Sequence, residues 1–210
     1  MDYKQVTRDA YDEYAEAFEK STAICSDFLE SKMNFFINCL SGGKVLDLGC
    51  GPGRDALQFK RRGINPVCVD ISPEMIRLCR QKGLDAYVMD IENLTFADNS
   101  FDGIWAVTSL LHFPKSSLDG LLVKIKRVLR EEGLFFISMK EGASEGFVKS
   151  NKYPGAKRFF ALYHDGELRA ALTKHFDIID SYKEKLGNAV FLGYFCKNQP
   201  RYLSLPGRGS

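Results

Sequence analysis

The stretch VLDLGCGPGRD, Val45 to Asp55, decides how the rest of the chain is read. A short apolar run meets a turn with glycines at 49, 51 and 53 and then a polar, helix-compatible segment. That is the opening of a strand–turn–helix unit, in which missing Cβ atoms let a ligand approach the backbone. A triphosphate loop would need G-x-x-x-x-G-K-[ST], and no Lys-Ser or Lys-Thr follows these glycines. A dinucleotide turn would need G-x-G-x-x-G. Gly49 and Gly51 fit it, but the third position is Arg54, whose side chain would hold the helix off the strand. Asp47 lies just before the loop, where a carboxylate repels pyrophosphate and favours an ammonium or sulfonium group.

Downstream the chain alternates short apolar strands with helices. Strands are predicted over 45–48, 66–69, 86–89, 103–107 and 134–139, and a helix over 54–62 that stops at Gly63. Ser72-Pro73-Glu74 starts a second helix, with Ser72 as N-cap, Pro73 in the first turn and Glu74 facing the positive end of the dipole; Lys82-Gly83 ends it. Leu118, Leu121, Leu122, Ile125 and Leu129 mark an amphipathic helix expected to close at Gly133. Such alternation implies a parallel, doubly wound α/β sheet covered on both faces. Near the end, a helix over 167–174 precedes strands over 176–179 and 190–196. The segment between those strands, with SYKEKLGNA, is too short for a crossover helix, so the strands form an antiparallel hairpin at one edge.

Ligands of such sheets sit beyond the carboxyl ends of the strands. Asp70 ends the second strand, 21 residues after Gly49, where an acid accepts hydrogen bonds from ribose hydroxyls. Asp90 ends the third strand and can accept from an adenine amino group, with Ile71 and Ile91 flanking the ring. Three acids at three successive strand ends describe an adenosine with a cationic, phosphate-free tail.

With those residues in place, the sequence resembles the class I S-adenosylmethionine-dependent methyltransferases. VLDLGCGPGRDA resembles the family's first motif, VDIS the ribose-binding segment, and MDIENLTFADNSFDGIWAVTSLLHF the third and fourth; KIKRVLREEGLFFISMKEG resembles its helix–glycine–strand passage. The likeness is close over residues 44–141 and looser through KRFFALYHDGELRAALTKHFDII. It implies a Rossmann-like, seven-stranded sheet whose last strand is antiparallel. It also implies S-adenosylmethionine as cofactor, with S-adenosylhomocysteine as product. The backbone of Gly49, Cys50 and Gly51 would hold the methionine portion, with Asp47 near its amino group. Asp70 would bind ribose, Ile71 and Ile91 would pack on adenine, Asp90 would bond its amino group, and Ala106 and Val107 would lie near the ammonium and sulfonium.

Composition narrows the partner. The 210 residues carry 29 basic and 27 acidic side chains, a net charge of +2. That balance gives no electrostatic reason to expect nucleic acid or an anionic membrane. No apolar run has the length of a membrane span, and the first residues lack the apolar core of a secretory signal, so a cytoplasmic protein is expected. The cysteines at 25, 39, 50, 68, 79 and 196 form no C-x-x-C pair, and with three scattered histidines no metal is expected; the thiols read as reduced and mostly buried.

The expected acceptor is a small molecule, methylated on O, N or S. The alternatives are a tRNA or RNA base, or cofactor binding without catalysis; oligomeric state is not encoded. No [DN]-P-P-[YFW] follows the fourth strand and no Pro-Cys dipeptide occurs, which argues against two DNA-modifying classes. The basic clusters Lys60-Arg61-Arg62 and Lys124/Lys126/Arg127/Arg130 read as solvated helix faces. The chain divides into an N-terminal helical cap of the acceptor site (1–43), a cofactor-binding core (44–197) and a disordered tail (198–210). In the cap, Ala10, Tyr11, Tyr14, Ala15 and Phe18 form one helical stripe, and Leu29, Met33, Phe36, Ile37 and Leu40 a second. Asp27 with Glu30 resembles a capping box, and Ser41-Gly42-Gly43 stops the helix. The acceptor pocket is expected from Tyr11, Tyr14, His112, Lys140 and Tyr163, with His112 and Tyr11 as candidate catalytic residues. Residues 141–158, polar and rich in glycine and basic side chains, are expected to form a mobile cover favouring an acidic acceptor.

Overall fold

The computed structural model describes residues 2–22 and 26–199. Three helices come first: α1 (Tyr3–Glu13), α2 (Ala15–Thr22) and α3 (Ser26–Asn38). They are followed by β1 (Lys44–Leu48), α4 (Arg54–Arg61), β2 (Asn65–Asp70), α5 (Pro73–Gln81), β3 (Asp85–Val88) and β4 (Phe101–Val107). Then come α6 (Leu118–Val128), β5 (Leu129–Lys140), β6 (Glu145–Lys149), β7 (Lys157–Ala161), α7 (Asp165–Leu172), β8 (Asp177–Leu186) and β9 (Ala189–Lys197). One sheet holds seven strands in the order β3-β2-β1-β4-β5-β9-β8. The strands β3 to β5 pair in parallel, and β9 runs antiparallel against both β5 and β8. The order reverses between β1 and β4, which places the crevice at the glycine turn after β1.

Alternating side chains cover both faces of the sheet, as expected of parallel strands buried on either side. Leu46, Leu48, Ile104, Phe135 and Ile137 join Leu121, Leu122 and Ile125 of α6 in one core. Val45, Trp105, Leu134 and Phe136 join Leu29, Met33 and Phe36 of α3 and Phe59 of α4 in the other. Trp105 anchors the second core, stacked on Phe136 at 4.0 Å and edge-on to Phe36 and Phe59 at 5.1 and 5.3 Å.

The strands and helices follow the sequence reading closely, with four differences. The first helical stripe is interrupted: α1 ends at Tyr14, whose φ of −114° and ψ of 23° leave helical geometry before α2 resumes. The predicted helix to Gly133 ends at Val128; Leu129 already belongs to β5, opposite Phe101 of β4, and Gly133 lies inside the strand. The irregularity sits between Phe101 and Gly103 in the β4–β5 register, beside Glu132 at φ 60°. The hairpin strands are longer than expected, because SYKEKL continues β8 to a turn at Gly187 (φ 59°). Finally, the stretch 141–158 is not an irregular cover: β6 and β7 form a two-stranded antiparallel sheet, with β7 docked on α1.

Asn198, expected in the tail, is buried and donates to the carbonyls of Leu129 and Arg130 at 3.0 and 2.9 Å. Residues 200–210 lie outside the described residues, as does the Asp27 side chain of the expected capping box. Ser72 is the N-cap read from the sequence, its Oγ accepting from Met75 N at 3.1 Å. Among the described residues no helix is long and apolar enough to cross a membrane.

Gly103 marks how tightly α3 sits on the sheet. A Cβ there would lie 2.6 Å from Leu40 Cδ2 and 2.8 Å from Phe36 Cζ. Gly103→Ala is expected to cost about 1–3 kcal/mol through overpacking, measured as a lowered midpoint with unchanged slope in urea unfolding.

Candidate functional site

The turn after β1 is held open by backbone geometry. Gly49, Gly51 and Gly53 have φ of 74°, 52° and 79°, a region L side chains rarely enter. Gly49 and Cys50 donate through their N–H groups to Val69 O at 2.8 and 3.0 Å, which hooks the turn onto the end of β2. A Cβ on Gly49 would lie 2.3 Å from Ser109 Cβ, so the turn and the end of β4 approach to backbone distance. Gly53 does the packing that a dinucleotide turn gives to its third glycine: a Cβ there would meet Leu84 and Cys79 at 2.6 and 2.8 Å. Arg54 is thereby free of the packing seam. It reaches the cavity wall and pairs with Asp55 at 2.6 Å, and Asp55 accepts from Trp105 Nε1 at 2.9 Å.

Above this turn lies a cavity whose walls bring together most of the residues singled out by sequence. Asp47, Gly49, Cys50, Gly51, Asp70, Ile71, Ile91, Val107, Tyr11 and His112 all line it. Asp70 bridges two elements: one oxygen accepts from Gly51 N and the other from Ser72 N, both at 2.9 Å. Burial outweighs those bonds and raises its carboxyl to about 6. Asp47 is only 3% exposed, and its Oδ2 is buried without a hydrogen-bond partner. Burial, with the nearby Asp55 charge, pushes its carboxyl well above the ordinary carboxylate range.

Other expected residues are placed differently. Asp90 is absent from the cavity wall, because Lys4 of α1 binds its carboxylate at 2.6 Å while Glu92 N donates to its other oxygen at 2.9 Å. Lys4 itself lines the cavity and also pairs with Glu92. Ala106 is buried behind Val107 rather than exposed to the cavity. Three acceptor-pocket expectations are corrected. Tyr14 turns away to donate to Pro154 O and stacks on Tyr153. Lys140 is exposed at the last position of β5, opposite Phe191, and does not line the cavity. Tyr163 is buried in the core beneath the Lys115 ammonium.

Tyr11 and His112, in contrast, are joined in one chain of hydrogen bonds. His112 follows β4 in a 3-10 turn, Leu110–His112. Its Nδ1 lies 2.7 Å from Phe159 O, and since a carbonyl only accepts, Nδ1 carries the proton. Nε2 is then the acceptor and faces Tyr11 OH at 2.8 Å. Arg158 of β7 donates to the same phenol oxygen at 3.0 Å, with its guanidinium packed over the rings of Tyr11 and Phe160. Burial keeps His112 neutral, lowering it to about 4, and raises the Tyr11 phenol against the opposing pull of Arg158. Sequence reasoning missed Arg158 and Lys4: both are surface-type residues whose partners lie 147 and 86 positions away. Arg158 lies at the end of the stretch expected to form a mobile cover, which the fold builds in part into the β6–β7 hairpin.

Six side chains of the basic clusters have partners within the fold. Lys60 binds Gly83 O, Arg62 binds Gln58, Lys124 binds Glu92 O, Lys126 binds His175 O, Arg127 binds Asp98 and Arg130 binds Asp102. The fold also assembles a group that spacing conceals, the buried thiols of Cys50, Cys68 and Cys79, within 4.8 Å of one another. Of the other described cysteines, Cys196 is buried and Cys39 exposed; Cys25 lies outside the described residues.

A protein-family model described as a methyltransferase domain matches residues 45–133, from β1 through α6 and into β5. Over these residues the chain is similar to methyltransferase domains. Methyltransferase GfsG of Streptomyces halstedii is 35% identical over 47% of this chain and 38% of its own length. The chain thus spans about two-fifths of the length of the first curated relatives it matches. The fold extends the likeness further. A solved DhpI–S-adenosylhomocysteine complex superposes with TM-score 0.71 at 17% identity, over 95% of this chain and 98% of that one. A Burkholderia thailandensis 1,6-didemethyltoxoflavin N1-methyltransferase, solved with its acceptor and S-adenosylhomocysteine, superposes with TM-score 0.63 at 22% identity, over 87% and 90%. The two superpositions show a shared Rossmann-like fold; the antiparallel pairing of β9 beside β5 is seen in this chain.

The low basicity of His112 sets an acid-side stability signature. Unfolded, the imidazole takes a proton below its ordinary 6.5, whereas in the folded domain it stays neutral down to about 4. The unfolded state therefore binds more protons in that window, and stability is lost as pH falls from 6.5 toward 4. His112→Gln removes this contribution, so the stability of wild type relative to the variant should decline across that window in urea titrations at stepped pH. A pH-independent difference would place His112 in a solvated setting.

Proposed function

We propose that the chain binds S-adenosylmethionine in the cavity above the glycine turn and transfers its methyl group to a small-molecule acceptor near Tyr11 and His112. The observation that carries this reading is the unpartnered, buried Oδ2 of Asp47 beside a phosphate-incompatible glycine turn. A buried carboxylate oxygen without a donor is costly, and an ammonium brought to it would favour its ionised form. The other groups suit the same ligand. Asp70 presents a carboxylate to the cavity for ribose hydroxyls, and Ile71, Ile91 and Met75 supply apolar walls for a ring. Positive-φ glycines leave the loop backbone open to a close approach.

When bound, S-adenosylmethionine supplies a methyl carbon already activated by its sulfonium. The remaining work is positioning and water exclusion, which fall to α1 and the end of β4. Tyr11 gives its proton toward His112 Nε2 and takes one bond from Arg158, leaving an oxygen lone pair with which to orient an acceptor hydroxyl or amine. His112, fixed with its proton on Nδ1, holds that phenol in place. Its low basicity makes it a poor proton sink near neutral pH, so its part is orientation more than proton removal. Arg158 does not line the cavity and acts through the Tyr11 phenol.

In this reading residues 1–43 cap the acceptor side of a core over 44–197, because Lys4, Thr7, Tyr11 and Phe18 all reach the cavity. Internal pairing within the basic clusters supports a small acceptor over RNA, and the one methyltransferase named above by its acceptor points the same way.

Calorimetry with S-adenosylmethionine and S-adenosylhomocysteine tests the site. Binding of both is expected, weakened on the order of tenfold or more by Asp70→Asn, since a charged acceptor is removed. Affinity should fall as pH is lowered through about 6, where Asp70 takes up its proton, and the variant should lack that step. Undiminished binding by Asp70→Asn would sink the assignment. Given binding, transfer of labelled methyl to a panel of small carboxylic and phenolic acceptors, slowed by Tyr11→Phe, tests the reaction.

A further inference from the structure

Beneath the glycine turn the three buried thiols form a compact group with no role in the chemistry above. Cys50 belongs to the turn, Cys68 to β2 and Cys79 to the last turn of α5, separated by 18 and 11 residues in sequence and exposed by only 9%, 0% and 0%. Cys50 Sγ lies 3.7 Å from Cys79 Sγ, and all three sulfurs lie within 4.8 Å of one another. Gly51 O faces two of them, 3.4 Å from Cys50 Sγ and 3.2 Å from Cys79 Sγ.

Those separations can be compared with the edges of a metal polyhedron. Two thiolates bound to one zinc at ~2.3 Å stand ~3.8 Å apart in a tetrahedron, and a thiolate and an oxygen at ~2.1 Å stand ~3.6 Å apart. The sulfur–sulfur distance of 3.7 Å matches the first, and the sulfur–oxygen distances of 3.2 and 3.4 Å lie a few tenths of an ångström inside the second. The surroundings are apolar and closed, made by Ala56, Ile76, Leu84 and Ala86, which excludes the hard, water-rich coordination preferred by magnesium or calcium. The donors come from three separate elements, so the group exists only in the folded chain.

We propose that Cys50, Cys68 and Cys79, with the carbonyl oxygen of Gly51, form a binding site for a thiophilic divalent ion, zinc, that ties the cofactor turn to β2 and α5. On binding, three S–H bonds are replaced by three Zn–S bonds, three protons pass to solvent, and the site is left with one net negative charge. No electron transfer is involved. The ion would sit among the three sulfurs and fix Cys50 and Gly51 of the turn to β2 and α5. Its role is structural, and it is independent of whether the cavity above takes S-adenosylmethionine.

Cobalt(II) is the probe, because its thiolate charge-transfer absorption reports sulfur ligation directly. The full chain is used, reduced and metal-free, with Cys25→Ser and Cys39→Ser, which leaves the buried Cys196 as the one thiol besides the proposed ligands. One cobalt per chain should bind with a strong charge-transfer band, and equimolar zinc should bleach it. Adding Cys79→Ser should lower both band intensity and affinity by tenfold or more. A wild-type measurement covers the case in which that variant misfolds: zinc should raise the thermal midpoint, and a chelator should restore it. Absence of the band with an unchanged midpoint would overturn the proposal, as would a band that survives Cys79→Ser undiminished. A Cys50–Cys79 disulfide found by mass spectrometry in the presence of reductant would overturn it too.

Discussion

One carboxylate holds the site together. Asp70 accepts from Gly51 with one oxygen and from Ser72 with the other, so the turn after β1 and the start of α5 share a single acceptor. Hydrogen bonds to a charged acceptor are stronger than neutral ones, and this pair satisfies two N–H groups that the turn and the helix leave without backbone partners. The glycines can then keep their left-handed geometry, because both flanks of the turn are pinned to β2. Asp12 extends the arrangement by accepting from Ser72 Oγ and Glu74 N, which docks α1 on the same helix start. Cofactor loop, helix start and N-terminal helix thus converge on a few oxygens.

What could be read from the sequence was local. The glycine turn, the Ser72 cap and the alternation of strand and helix each depend on neighbours within a few residues, and their chemistry survives translation into three dimensions. Leu129 to Gly133 failed for a related reason. Leu129 continues the spacing set by Leu121, Leu122 and Ile125, so periodicity alone extends the helix, while pairing with Phe101 across the sheet takes the residue for β5. The hairpin of β6 and β7 was invisible because its pattern is polar and glycine-rich; docking on α1 defines it.

The candidate site was legible in part. Asp47, Asp70, Tyr11 and His112 come together because the strand ends and the first helix stripe constrain them. Tyr14, in the same stripe as Tyr11, departs because the break between α1 and α2 falls on it, and Lys140 and Tyr163 are not among the residues that line the cavity. Asp90 is in the expected place but already holds Lys4. Arg158 and the three-thiol group depend on contacts between distant segments, for which spacing carries no signal.

The attachment of α1 has a kinetic side. Lys4, Thr7, Tyr11 and Asp12 follow one another along the helix, and each binds a different part of the body: the end of β3, β7, the turn after β4, and the start of α5. Contacts strung along a rigid rod do not open one at a time, because lifting one end strains the next. Movement of α1 away from the body therefore breaks these contacts together, on the timescale of element motions rather than of side-chain motion.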